Sequence, residues 1–333
     1  MPNVVVTGGA GFLGSRLARE LLALRSLPVA GGAATPLSRL MLIDQAPVPA
    51  DLAADERVTA IRGDLADPAW DGWDALAGTD LVFHLAAAVS GECETDFDLG
   101  LRANLAATQA LLAACRGLGT TPVVVLSSSL AAFGTSAEHP LPAVIDDHTL
   151  PNPQTSYGVQ KFIAEQLLAD YTRKGFLRGR SVRLATVSVR PGRPNQAASG
   201  FLSGIIREPL AGQHAVCPVP AQTEVALISP ARAIDALLCA ATSSDQAWGG
   251  RTAVTLPALT VQITDMVAAL DRAAGPEATG LIDWVPDPAV ITIMTGFPAR
   301  IRADRARRLG LTPDPDFDSV IAMHLAETTR TRN

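Results

Sequence analysis

Lysine is nearly missing from this chain: among 27 basic residues only Lys161 and Lys174 are lysines, and the others are arginines. Tyrosine is as scarce, with Tyr157 and Tyr171 alone. No run reaches the roughly 18 uninterrupted apolar residues of a membrane-crossing helix, so no membrane span is expected. Cys93, Cys115, Cys217 and Cys239 form no Cys-x-x-Cys pair, and no disulfide framework is needed. The five histidines do not cluster at ligand spacing, which predicts no metal site. Excess basic charge is missing as well. A net charge of −6 argues against nucleic acid as a partner, because phosphate binding asks for a basic face. The N-terminus lacks a basic and apolar leader, so a cytoplasmic protein is expected.

What is present is a well-cored chain of 333 residues, 48% hydrophobic and 18% charged. That length suits one large α/β domain with an appended lobe, or two ordinary domains. The organising stretch is Val4-Val5-Val6-Thr7-Gly8-Gly9-Ala10-Gly11-Phe12-Leu13-Gly14, followed by an amphipathic segment from Ser15 to Leu24. Three β-branched residues predict a strand buried on both faces. Glycines at 8, 11 and 14 allow a tight turn, close approach to a pyrophosphate and close helix–strand packing. The helix beginning there aims unpaired N–H groups at the turn, so an anion is expected at that end.

Leu40 to Asp44 reads as a second buried strand ending in a carboxylate. In dinucleotide-binding folds an acid about 20 residues past the glycines holds the adenosine ribose hydroxyls. Asp44 falls later than that, and the Gly/Pro-rich run 25–39 reads as an insertion that accounts for the excess. A carboxylate there repels a 2′-phosphate, and Gln45-Ala46 brings no arginine to compensate, so NAD is expected rather than NADP.

Further strands are expected over Arg57–Ile61, Leu81–Ala87, Pro122–Leu126 and Val182–Val189, with a helix over Glu94–Leu118. His84, inside an apolar run, reads as a packed core histidine. The alternation predicts a doubly wound parallel sheet whose ligands lie beyond the carboxyl ends of its strands. Later helices are expected over 197–210, 230–242 and 262–275, a strand over 251–256, and a short basic helix over 300–309 whose arginines form a solvated face.

Ser127-Ser128-Ser129 closes the fifth strand, and Tyr157 and Lys161 stand four apart on the next helix, hence on one face. A phenol titrates near pH 10, and making it a base near pH 7 takes roughly 4 kcal/mol of preferential stabilisation of its anion. A neighbouring ammonium supplies much of that. In a chain that otherwise uses arginine for positive charge, Lys161 looks chosen. Tyr171 and Lys174 form a second pair further along the helix, to which no chemistry is assigned.

The run Thr7 to Gly14, Asp64-Leu65, Leu85-Ala86-Ala87, the serine triplet, Tyr157-x-x-x-Lys161 and Arg190-Pro191-Gly192 together resemble the extended short-chain dehydrogenase/reductase superfamily. The resemblance implies a Rossmann-type α/β fold, with residues 1–195 binding NAD. Residues 196–333 would form mainly a smaller α/β substrate lobe, the chain returning to the first part near 225–242. It implies Tyr157 as acid/base, Lys161 beside it and on the nicotinamide ribose, and Ser129 on the substrate. Gly8, Gly11, Phe12, Leu13, Gly14, Asp44, Asp64, Leu65, Leu85, Ala86, Ala87, Asn104, Tyr157, Lys161 and Pro191 would contact the cofactor, Asn104 also matching the superfamily's structural asparagine. Sequence does not separate Ser127, Ser128 and Ser129 as substrate contacts.

Shorter words are similar to a dehydrogenase branch acting on small sugar acids: Ala87 to Glu92, Asp96 to Gly100, Val189 to Asn195, Ala197 to Phe201, Arg207 to Leu210 and Pro286 to Pro288. They imply oxidation of a C2 hydroxyl, with Ser90 among the substrate contacts. A small acid needs a cation, and Arg193 is the candidate, with Asn195 for a hydroxyl. The alternative for Arg193 is a loop ion pair with Asp146, Asp147 or Glu224. The rival activity is a nucleotide-sugar 4-epimerase or dehydratase with bound NAD. A non-catalytic dinucleotide sensor would not need the Tyr and Lys pair. By analogy with the superfamily, a homodimer is expected through the fourth and fifth helices.

Overall fold

The computed structural model describes residues 1–192 and 197–332. By its internal contacts the chain divides into two units. The first holds Met1–Ser129, Ser156–Arg183 and Ile234–Val254; the second holds Leu130–Thr155, Leu184–Ala233 and Thr255–Asn333.

In the first unit Val4, Val5 and Val6 are buried on both faces of β1 (Asn3–Thr7), as an unbroken β-branched run requires. The glycine turn leads into α1 (Phe12–Ala23), which turns Leu17, Ala18 and Leu21 inward. Then come β2 (Arg39–Asp44), a short α2 (Ala50–Ala53), β3 (Val58–Arg62) and β4 (Leu81–His84). Between β4 and β5 (Val123–Ser129) lie α3 (Ser90–Thr95), α4 (Phe97–Gly100), a π turn over Leu101–Ala106 and α5 (Ala107–Gly117). Beyond β5 come a short β6 (Ile145–Asp146), the long α6 (Ser156–Arg173), β7 (Arg178–Leu184) and β8 (Thr186–Val187). The second unit continues with α7 (Phe201–Leu210), β9 (Ala215–Cys217) and β10 (Glu224–Ile228), and then α8 (Pro230–Thr242) begins. The later strands are β11 (Val254–Thr255), β12 (Leu259–Gln262), β13 (Ile282–Trp284) and β14 (Ile301–Arg302).

The large sheet has seven strands in the order β11-β7-β5-β4-β1-β2-β3. Its β1–β2, β1–β4, β2–β3 and β4–β5 pairings are parallel, with Val5 in register with both Met41 and Val82. This is the doubly wound α/β fold expected from the alternation. The strand order reverses at β1, so the carboxyl ends of β1 and β4 open the crevice in which such sheets bind ligands. Val5, Met41, Val82, Val124, Leu111 and Leu168 build the core of this unit. A separate core around Leu202, Ile205, Val225, Met266 and Leu270 holds the second unit, whose sheets have three, two and two strands.

Three local expectations need correction. The helix expected over Glu94–Leu118 is broken, because Asp96 leaves helical geometry and its side chain caps a new start at the Leu99 N–H (2.9 Å). The strand expected over 182–189 is two strands in different sheets, β7 in the large sheet and β8 beside β10. The expected basic helix over 300–309 begins as β14, which pairs with β6, leaving helix only over Asp304–Arg308. In that segment Arg300, Arg302, Arg307 and Arg308 are exposed, as expected, with Arg300 bidentate to Glu224 and Arg302 bonded to Asp146. No helix among the described residues is long and apolar enough to cross a membrane.

Candidate active site

The glycine turn closes on itself through Gly11 N–H donating to the Gly8 carbonyl (3.0 Å). Gly8 has φ +72°, and a Cβ on it would lie 2.8 Å from the Ala86 nitrogen, so the turn meets the end of β4 with no side chain between them. A Cβ on Gly14 would lie 2.0 Å from the Gly8 oxygen. Helix α1 starts at this turn, and its N-cap, Gly11, offers no side-chain bond to the helix's first N–H groups. Twelve residues of helix, a bare N-terminus and a cradle that a Cβ would fill fit the pyrophosphate of a dinucleotide. Phe12 and Leu13, half-buried, form the first turn of that helix.

Asp44, at the end of β2, is held from both sides. Its Oδ2 accepts from Ala10 N–H and its Oδ1 from Ala46 N–H, each at 2.9 Å. The carboxylate is thereby tied to the glycine turn. The β2–β3 ladder also sets Arg62 opposite Asp44, and Arg62 Nε donates to the Gln45 carbonyl (3.0 Å). This cation is invisible in the sequence around Asp44, where only Gln45 and Ala46 follow. Asp64 accepts from Ala66 N–H (2.9 Å), closing the turn in which Leu65 is buried.

Leu85 and Ala86 continue from β4, half-buried, with Ala87 exposed. Asn104, buried in the π turn, fastens this segment. Its Oδ1 accepts from Ala88 N–H (2.8 Å), and its Nδ2 donates to the Ala88 carbonyl (3.2 Å) and to Gln160 Oε1 (2.8 Å). Both ends of the amide are spent on the protein, which corrects the expectation of a cofactor contact and makes Asn104 a fastener of 85–88. Ser90 opens α3 on the same segment.

His84 is a core histidine, as its apolar surroundings predicted. Thr108 spends its hydroxyl hydrogen on the Asn104 carbonyl (2.7 Å), so it accepts from His84 Nε2–H (2.9 Å). Nδ1 then accepts from the Thr7 hydroxyl (2.7 Å). Burial, with the Lys161 charge adding to it, pushes the His84 pKa down to about 3, so the ring stays neutral.

Lys161 is 4% exposed. Its Nζ donates to the Ser127 carbonyl (3.0 Å) and lies 5.7 Å from the centre of the Tyr157 ring, which is half-buried one helical turn earlier. Burial pulls the Lys161 pKa down to about 8. The structure sorts the three serines. Ser127 Oγ donates to the His84 carbonyl (3.2 Å) and Ser128 Oγ to Glu165 Oε1 (2.5 Å). Both are buried, whereas Ser129 at the strand end is half-buried. Sequence reading passed over Glu165 and its partner Arg183. The signals were there: Glu165 extends the i, i+4 series from Tyr157 and Lys161, and Arg183 is a charge inside an apolar strand.

Pro191 is exposed, while Arg193 and Asn195 lie outside the described residues. The carboxylates that would compete for Arg193 are engaged elsewhere: Asp146 with Arg302, Glu224 with Arg300, and Asp147 with the Arg305 N–H (2.8 Å). Among the described residues no group of three His, Cys, Asp or Glu side chains could hold a metal.

The profile described as the NAD dependent epimerase/dehydratase family matches residues 4–252. The chain is 47% identical over 326 residues to D-erythronate dehydrogenase of Cupriavidus necator, covering 98% of each. It is 38% identical to D-erythronate dehydrogenase of Haemophilus influenzae, covering 96% of this chain and 97% of that one. The crystal structure of a nucleoside-diphosphate-sugar epimerase from Agrobacterium tumefaciens superposes with a TM-score of 0.86 at 38% identity, covering 98% of this chain and 94% of that one. A glycine cradle tied to Asp44, a buried lysine under a tyrosine and near full-length likeness to these proteins lead to one assignment: the chain belongs to the NAD dependent epimerase/dehydratase family.

Proposed function

We propose that the protein is an NAD-dependent dehydrogenase of a small sugar acid, oxidising the C2 hydroxyl of D-erythronate to 2-oxo-D-erythronate in the cytoplasm. The observation that carries this reading is Lys161, a buried ammonium fixed to the end of β5 and set beside the Tyr157 ring. Its charge stabilises the Tyr157 phenolate, which takes the hydroxyl proton. Ser129 holds the same substrate oxygen by a hydrogen bond. NAD, bound through the Gly8–Gly14 turn and Asp44, supplies the acceptor for the hydride that leaves C2 as the ketone forms. Asp64, Leu65 and the segment 85–87 line the cofactor, with Asn104 keeping that segment in place. Asp44, fixed by two backbone N–H groups, disfavours a 2′-phosphate and selects NAD over NADP. The carboxylate of the acid falls to Arg193 and a hydroxyl to Asn195, a reading supported by the engagement of Asp146, Asp147 and Glu224 with other groups.

Residues 196–333 carry most of the substrate contacts in this reading. The chain pairs as a homodimer through the helices that follow β4 and β5. Phe97 on α4 and Val159 and Ile163 on α6 leave apolar side chains in solvent at 59, 41 and 37% exposure, which supports that surface.

A second reading, a nucleotide-sugar epimerase that keeps its NAD, is favoured by the name of the Agrobacterium tumefaciens structure. Free NADH decides between them. With NAD and a panel of three- to six-carbon sugar acids, the dehydrogenase reading expects NADH to accumulate with D-erythronate. Arg193→Met should then raise KM for the acid at least about tenfold and that for NAD less than about twofold. Conversion of a nucleotide sugar with no released NADH would favour the epimerase.

A further inference from the structure

Glu165 is a buried carboxylate that the chemistry above does not use. It stands one helical turn beyond Lys161, as Lys161 stands one turn beyond Tyr157, and it is 2% exposed. Arg183 on β7 grips both of its oxygens, Nε to Oε1 at 2.9 Å and Nη2 to Oε2 at 2.7 Å. Oε1 also accepts the Ser128 hydroxyl at 2.5 Å. The neighbouring Ser127 carbonyl is the acceptor for Lys161 Nζ. Helix α6 therefore fastens two successive residues of β5, immediately before Ser129, from two successive turns.

Stability does not explain this arrangement. A buried ion pair costs several kcal/mol per ion to desolvate, and apolar side chains of the same volume are often as stable. What the pair supplies is fixed geometry and a fixed charge. The groups that face Lys161 are His84 from β4, Cys93 from α3, the Ser127 carbonyl from β5, and Tyr157 and Glu165 from its own helix. His84 is neutral, and burial raises the Cys93 thiol, so it keeps its proton near neutral pH. Glu165, gripped through both oxygens by Arg183, is thus the carboxylate that acts on Lys161.

We propose that Glu165 is a positioning residue for the proton transfer: clamped by Arg183, it sets the β5 end through Ser128 and sustains the charge on Lys161. This rests on the reading of Tyr157, Lys161 and Ser129 given above.

The test compares Glu165→Gln, Glu165→Gln/Arg183→Met and Ser128→Ala with the wild type and Tyr157→Phe. The readouts are kcat and KM for D-erythronate across pH, NADH binding by fluorescence, and Tm. Glu165→Gln should lower kcat about tenfold or more, with KM and NADH affinity within about twofold. The alkaline limb of kcat should move to lower pH, because Lys161 gives up its proton more readily without the carboxylate. The double variant, which leaves no unpaired buried charge, should behave alike and serves where the single variant does not fold. Ser128→Ala should lower kcat by a smaller factor without moving that limb, and Ser128→Thr should restore it. A Glu165→Gln or double variant with lowered Tm but wild-type kcat and limb would overturn the proposal. Unchanged kcat in Ser128→Ala would overturn its strand-setting half. Turnover surviving in Tyr157→Phe would instead bring down the underlying reading, and the Glu165 proposal with it.

Discussion

At the residue scale, the scarcity of lysine turned out to be informative because burial makes the choice of cation chemical. A guanidinium stays charged in almost any surroundings, whereas an ammonium taken from water becomes a group whose pKa the protein sets. Lys161 does so at about 8, and its neighbour His84 at about 3, both with burial as the leading cause. His84 yields a stability prediction. Its pKa is depressed in the fold, so between about pH 6.5 and about pH 3 the unfolded chain binds the extra proton. Its contribution is whole above that window and is lost as pH falls through it, by up to about 1.4 kcal/mol per pH unit. Urea unfolding at about pH 7 and about pH 5 should show the wild type losing about 2 kcal/mol more than His84→Gln over that interval. Equal losses would mean that the Thr7–His84–Thr108 chain accepts a proton in place.

At the scale of elements, periodic stretches were legible and their interruptions were not. Strands β1 to β5, α1 and α6 were read from apolar runs and amphipathic faces, as was the sheet they form. The break at Asp96 escaped because the periodic face, Leu101 to Cys115, begins only after it, and a single side-chain cap decides the break. The π turn escaped for a similar reason: it exists to turn Asn104 toward Ala88 and Gln160, partners distant in sequence. β7 and β8 read as one strand because no glycine or proline stands at their junction, Leu184-Ala185-Thr186. Within the site, the glycines, Asp44, Tyr157 and Lys161 were legible as types at a spacing. The sorting of the three serines, Arg62 beside Asp44 and the Arg183–Glu165 clamp were not, since each depends on strand register. The glycine turn gives the prediction at this scale. Gly14→Ala would drive a methyl to 2.0 Å from the Gly8 oxygen, where backbone must move. NADH affinity should fall about tenfold or more while far-ultraviolet circular dichroism stays native. Unchanged affinity would show that the turn does not hold the cofactor.

At the scale of the whole molecule, the net charge of −6 is the excess of carboxylates over a surface that also forms arginine–carboxylate pairs such as Arg19–Asp51, Arg57–Asp55 and Arg272–Asp318. Pairs this exposed contribute little to stability each, and their service is solubility. Phe97, Val159 and Ile163 are among the apolar side chains exposed on that surface. Val159→Glu with Ile163→Glu should convert a dimer into a monomer by light scattering. A wild type that is already monomeric, or a variant that stays dimeric, would remove α6 from the interface.

The account as a whole depends on Tyr157 acting as the base beside a charged Lys161 and next to bound NAD. The direct measurement is NADH formation from D-erythronate and NAD by the wild type and by Tyr157→Phe, with NADH affinity measured on both. Turnover in the wild type, its fall by about a thousandfold or more in the variant, and an NADH affinity unchanged within about twofold are predicted. A variant that retains turnover, or a wild type that binds NADH yet reduces no NAD with any acid of the panel, would contradict it.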